Sequence, residues 1–143
     1  MSHNYFSEIN LHVTWHTKQS APMLTDEVEA MVFASLKEKA IKLGNVYIDE
    51  LGAVATHIHL AMRIEPTVTP SVMIGELKGF SSHETNRRLG VHHKVLEWQA
   101  GYGVVSFGTK DLPWVREYVR RQKEHHANGS VFPRLEAITE FES

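Results

Sequence analysis

Cysteine is absent from all 143 residues, which excludes disulfides and thiolate metal sites. That absence fits a reducing cytoplasm, the compartment expected for this chain. No apolar run approaches the roughly 18–20 residues that a membrane span requires. The opening Met1-Ser2-His3-Asn4-Tyr5 has no basic segment leading into an apolar stretch, so no secretory signal is expected. Internal repeats and low-complexity segments are missing too. A basic excess, the usual footprint of phosphate binding, is also lacking: 15 Lys and Arg stand against 17 Asp and Glu, for a net charge of −2. Distribution qualifies that total. The acids gather at Asp26, Glu27 and Glu29 and again at Glu136, Glu140 and Glu142. The bases cluster at Lys78, Arg87, Arg88 and Lys94, then at Arg116, Arg120, Arg121 and Lys123.

What is present, 42% hydrophobic and 22% charged residues, suits one globular domain with a real core. Residues 1–132 are expected to form it, and 133–143 an acidic, loosely attached tail. Ile9, Leu11, Val13 and Trp15 alternate, which predicts a half-buried strand. Thr25 is placed to cap a helix whose apolar spacing, Val28, Met31, Val32, Leu36 and Leu43, ends at Gly44. Residues 45–55 and 56–64 read as two strands with a weakly marked turn, Gly52 being one candidate for it. A second helix is predicted over 71–89, with Gly90 as its stop. A short strand follows at Val104–Phe107. Asp111 is then placed to cap a third helix that runs to about Ala127. The order strand, helix, strand, strand, helix, strand, helix predicts an α+β, ferredoxin-like fold. In it an antiparallel sheet carries helices on one face, and an added C-terminal helix carries Tyr118.

Chemistry concentrates at His57-Ile58-His59. Residues i and i+2 of a strand point the same way, so both imidazoles can address one cation while Ile58 and Leu60 hold the strand. An exposed polar pair is the bland alternative. Tyr118 and Gln122 lie four residues apart in a helical pattern and share a face. Gln122 offers an amide oxygen as a third ligand, or is simply an exposed helix residue. Tyr118 is a nucleophile or a core aromatic beside Leu112, Val115 and Val119. A phenol with a pKa of about 10 attacks poorly unless a cation stabilises its phenolate. A divalent metal beside Tyr118 therefore points to cleavage and rejoining of single-stranded DNA. Imidazole ligands favour Mn²⁺, and Mg²⁺ fits if oxygens complete the shell. His125 and His126, beyond Tyr118, are auxiliary acid, base or phosphate contacts, or exposed residues at a helix C-terminus. His12, His16, His83, His92 and His93 read as surface or DNA-facing positions.

Five segments in order closely resemble the single-tyrosine transposases of the HUH endonuclease superfamily and their REP-associated relatives. These are His12–Lys18, the pair His57-Ile58-His59, Leu77–Ser82, Trp98–Gly103 and Tyr118–His126. The resemblance implies that Tyr118 attacks a DNA phosphate, leaving a 5′-phosphotyrosine link and a free 3′-hydroxyl. It implies that His57, His59 and Gln122 hold Mg²⁺ or Mn²⁺, and that Lys78, Arg87 and Arg88 contact DNA. It further implies single-stranded DNA hairpins at element ends as partners, and a homodimer whose subunits share active sites. Thr56 stands where many relatives carry an acid, which alters the outer shell of the ion. Two other readings follow from the same residues. One is a domesticated single-strand nickase of repeat hairpins; the other is a non-catalytic ferredoxin-like DNA-binding module.

Overall fold

Alternation along β1 (Ile9–His16) gives the molecule two unlike sides. Leu11, Val13 and Trp15 enter the main hydrophobic core, while Asn10, His12 and Thr14 are buried on the opposite face. This is a computed structural model, and it describes residues 4–138. In β3 (His57–Ile64) the same alternation recurs. Ile58, Leu60, Met62 and Ile64 join the core, and His57, His59 and Ala61 face away from it. The antiparallel register sets His16 opposite His57, Thr14 opposite His59 and His12 opposite Ala61. Polar residues of two neighbouring strands are thus gathered on one face. With β2 (Val46–Val54) and β4 (Gly103–Phe107) the sheet order is β2-β3-β1-β4, all antiparallel. This is the predicted ferredoxin-like arrangement.

Helices cover both faces unequally. In α1 (Asp26–Leu43) the Thr25 hydroxyl accepts a hydrogen bond from the Val28 amide at 3.3 Å, as its spacing predicted. α2 (Pro70–Leu89) stops at Gly90, which takes a left-handed conformation with φ 65°. Val28, Val32 and Leu36 of α1 and Met73, Ile74 and Leu77 of α2 pack on the apolar side of the sheet. α3 (Leu112–Arg120) crosses the other side, where Val115 and Val119 pack on Ala61 with Phe107 alongside. The short α4 (Gln122–Asn128) and α5 (Pro133–Glu136) follow on that side of the sequence. Among the described residues no helix is long and apolar enough to cross a membrane.

Four expectations are corrected. The turn between β2 and β3 falls at Ala55-Thr56, and Gly52 lies inside β2, paired with His59. Its lack of a side chain serves packing instead: a Cβ there would sit 1.7 Å from the Val119 carbonyl oxygen. Gly52 is what lets α3 lie on the sheet. The third helix is broken at Arg121 (φ −102°, ψ 34°), which separates α3 from α4. Asp111 makes no capping bond, because it belongs to the tight turn Thr109–Asp111 and already has helical dihedrals. Finally, the tail expected to hang loosely from 133 is docked as far as it is described. Leu135 is buried and α5 packs against β1 and β4. Residues 139–143, including Glu140 and Glu142, lie outside the described residues.

The Gly52 contact makes a direct prediction. Gly52→Ala is expected to push α3 off the sheet and lower stability by about 1–3 kcal/mol, the usual cost of overpacking. Urea unfolding monitored by circular dichroism measures it, and an unchanged midpoint would contradict the close approach.

Candidate active site

The polar face of β1 and β3 is a set of buried imidazoles. His12 Nε2 lies 2.8 Å from His59 Nδ1, with both rings almost wholly enclosed. Burial lowers the pKa of both; His12, further lowered by His59, falls to about 3. Burial thus favours the neutral form of both rings, which share one hydrogen bond. His16 stacks on His57 with ring centroids 4.6 Å apart, and burial followed by His57 lowers it to about 4. Thr56 Oγ1 lies 3.0 Å from His57 Nδ1. With Nδ1 of His57 and His59 engaged by neighbours, the two Nε2 atoms are aimed outward, the arrangement in which a second hydrogen bond orients a metal-binding histidine.

These neutral rings make folding pH-dependent. The unfolded chain protonates His12 near 6.5 while the folded chain resists to about 3. Stability is therefore complete above about pH 6.5 and is lost as pH falls toward 3. A loss of about 2 kcal/mol between pH 7 and 4.5 is expected for the metal-free protein. His12→Gln should flatten that slope in urea titrations at the two pH values; an equal slope would show that His12 is not held neutral.

The outward nitrogens converge. Nε2 of His57, His59 and His126 lie 3.0, 3.2 and 3.2 Å from a single oxygen, Glu136 Oε1. His57 and His126 Nε2 are themselves 3.2 Å apart. Burial works against the Glu136 charge, but the bonds to His57 and His59 outweigh it and hold its carboxyl well below the usual range. The other carboxylate oxygen accepts a hydrogen bond from the Tyr118 hydroxyl. That hydroxyl also accepts the Phe132 amide proton at 2.9 Å. Burial and the bond to Glu136 raise the Tyr118 pKa above that of a free phenol. The Tyr118 ring stacks between Trp114 and His125, at 5.5 and 4.8 Å, and meets the His59 ring edge-on at 6.0 Å. Gln122 is buried beside it. Its amide nitrogen donates to the Tyr118 carbonyl at 2.9 Å across the helix break. Its Oε1 is buried and has no partner among the described residues.

The structure thus brings His57, His59, Tyr118 and Gln122 into one neighbourhood, with His126 among the convergent nitrogens and His125 stacked on the tyrosine. The basic residues go elsewhere. Lys78 Nζ donates to the carbonyls of Gln99 and Gly101 at 2.8 and 2.9 Å, so its ammonium ties down the loop before β4. Arg87 and Arg88 are exposed and pair with Glu84 at 2.5 and 3.2 Å. Lys78 and Arg87 line a cleft of about 710 Å³ with Lys94 and Trp98, and none of the clustered histidines lines it.

Three residues were not assigned to the site from sequence, and one of them, His12, expected at the surface or facing DNA, is buried instead. His12 and His16 were legible in principle, since His12, Thr14 and His16 alternate against Leu11, Val13 and Trp15. A strand that already buries one face and carries histidines on the other calls for a use of the second face. Glu136 gave no such signal: it meets His59 across 77 positions of sequence.

The family model described as "Transposase IS200 like" matches residues 5–122. The transposases for insertion sequence element IS200 of Salmonella typhimurium and Salmonella typhi are each 32% identical over 99 residues. Those matches cover 66% of this chain and 64% of each relative, so the chain spans less than two thirds of their length. A solved Deinococcus radiodurans R1 protein assigned as a transposase aligns with a TM-score of 0.67 at 21% identity, over 83% of this chain and 94% of that one. The REP-associated tyrosine transposase bound to a REP hairpin aligns with a TM-score of 0.57 at 16% identity, over 88% and 73%. The two structures share the fold, and the family match over most of the sequence makes this chain a member of the IS200-like transposase family.

Proposed function

We propose that the chain is a divalent-metal-dependent transposase that cleaves and rejoins single-stranded DNA through a 5′-phosphotyrosine bond at Tyr118. One observation carries this reading: a single carboxylate joins the Tyr118 hydroxyl to three converging imidazole nitrogens. The residues present fit a metal ion. Neutral imidazoles with oriented Nε2 atoms are good ligands, and Gln122 Oε1 is a buried acceptor otherwise left unsatisfied. His57, His59 and Gln122 would hold the ion. When bound, it supplies Lewis-acid polarisation of a phosphoryl oxygen and favours the phenolate form of the tyrosine.

The chain's own residues do the rest. Trp114 and His125 clamp the tyrosine ring, which limits the directions in which its oxygen can approach phosphorus. The Tyr118 oxygen forms a bond to phosphorus while the bond from phosphorus to the 3′-oxygen breaks. That oxygen takes up one proton, matching the one the phenol gives up, and leaves as a 3′-hydroxyl; its return reverses the step and rejoins DNA. Hairpin DNA is the proposed substrate, in keeping with the REP hairpin held by the tyrosine transposase of the same fold. Arg87 and Arg88 are the proposed phosphate contacts, because both are exposed; Lys78 would act by shaping the adjoining loop. A homodimer is the proposed assembly; within one chain the Tyr118 ring lies edge-on to His59 at 6.0 Å, which supports Tyr118 serving the histidines of its own subunit.

The test uses the purified chain with 3′-labelled single-stranded hairpins drawn from the DNA that flanks its reading frame. In Mn²⁺ a labelled protein–DNA adduct that survives denaturing electrophoresis is expected, and EDTA should abolish it. Absence of any adduct with Mn²⁺ or Mg²⁺ across the set would contradict the proposal.

A further inference from the structure

The family match ends at residue 122, yet two of the four residues that meet in the centre, His126 and Glu136, lie beyond it. The backbone that carries Glu136 is seated by several contacts. Leu135 is buried, and Phe132 packs edge-on to Trp114 at 5.3 Å. Gly103 of β4 leaves the space: a Cβ there would lie 1.8 Å from the Ala137 carbonyl oxygen. Glu136 is therefore delivered to the site by packing of its own segment.

The spacing within the cluster, which serves hydrogen bonds here, also fits a coordination sphere. Glu136 Oε1 stands 3.0–3.2 Å from three Nε2 atoms. An ion with bonds of about 2.1 Å in octahedral geometry places adjacent ligand atoms about 3 Å apart. A carboxylate oxygen among imidazoles also suits a Mn²⁺-type ion. The second oxygen of the same group receives the Tyr118 hydroxyl.

We propose that Glu136 has two roles: ligand to the divalent ion through Oε1, with His126 beside it, and positioning residue for Tyr118 through Oε2. This rests on the metal reading above and extends its ligand set. The nucleophile and the ion are then coupled through one side chain, and the segment after α4 is a component of the site. The competing arrangement is a carboxylate that fills the ion's place and must leave before the ion binds.

Mn²⁺ titration calorimetry on the full, EDTA-stripped chain separates the two. Glu136→Gln keeps the shape of the side chain and removes its charge. It is expected to weaken Mn²⁺ binding about 10- to 100-fold, with an unfolding midpoint in EDTA close to wild type. At saturating Mn²⁺ its adduct yield should still fall about tenfold, because the tyrosine is less firmly held. His126→Asn, on the less buried α4, probes the same sphere without disturbing the docked turn and should also weaken Mn²⁺ about tenfold. Wild-type or tighter Mn²⁺ binding by Glu136→Gln, together with loss of binding in His59→Ala, overturns the ligand role and leaves the metal reading standing. No Mn²⁺ binding by the wild-type chain removes both.

Discussion

Tyr118→Phe is expected to lose the covalent DNA adduct while keeping wild-type affinity for Mn²⁺. The phenylalanine ring retains the stack between Trp114 and His125 and leaves the packing of Val115 and Val119 untouched. What disappears is one oxygen and its bonds to Glu136 and to the Phe132 amide. Leaving those partners short of a hydrogen bond costs about 1–3 kcal/mol, which a domain of this size tolerates. The chemical loss is far greater, because removing a nucleophile typically costs at least about 10³-fold. Quantified adduct from a labelled hairpin measures it, with calorimetry confirming the metal site. Adduct formation at the wild-type rate would mean that another residue attacks the DNA. Loss of Mn²⁺ binding as well would mean that the hydroxyl belongs to the coordination sphere.

The parts of this site that were legible in sequence are those governed by short-range periodicity. His57 and His59 share a face because strand side chains alternate, and Ile58 and Leu60 announce which face is core. Tyr118 and Gln122 adjoin because helix positions four apart adjoin, and the break at Arg121 does not separate them since the Gln122 amide spans it. The ferredoxin-like order followed from the sequence of alternating and helical segments for the same reason. Other features depend on where distant segments meet. Gly52 looks like a turn residue until α3 is laid across it. Lys78 looks like a phosphate contact until the loop carbonyls of Gln99 and Gly101 close around it. Glu136 sits in a stretch whose composition suggests a solvated tail, and only Gly103 and the burial of Leu135 bring it inside. Local pattern therefore specifies the strand histidines and the tyrosine helix, whereas the full set of groups around them is a tertiary property.

His59→Ala is expected to give the opposite pattern to Tyr118→Phe. His59 is fully buried, points one nitrogen at the convergent centre and secures the other on His12. Truncation removes a ligand and leaves His12 without its partner. It also leaves the Glu136 carboxylate facing one fewer imidazole. Mn²⁺ affinity should fall at least about 100-fold, more than the usual cost of losing an outer-shell contact alone. The adduct should fall with it and partly return at high Mn²⁺, because the nucleophile is intact. A Tyr118→Phe chain cannot be rescued in that way. Mixing the two variants then reports on assembly. The tyrosine and His59 rings of one chain are 6.0 Å apart; if that pairing is the working one, each site is complete or defective within its own chain. An equimolar mixture should therefore remain as inactive as its components. Restored cleavage would instead require a tyrosine helix to serve the histidines of a second copy. Unchanged Mn²⁺ affinity in His59→Ala would remove the strand histidines from the metal centre and leave Glu136 and His126 to be explained by packing alone.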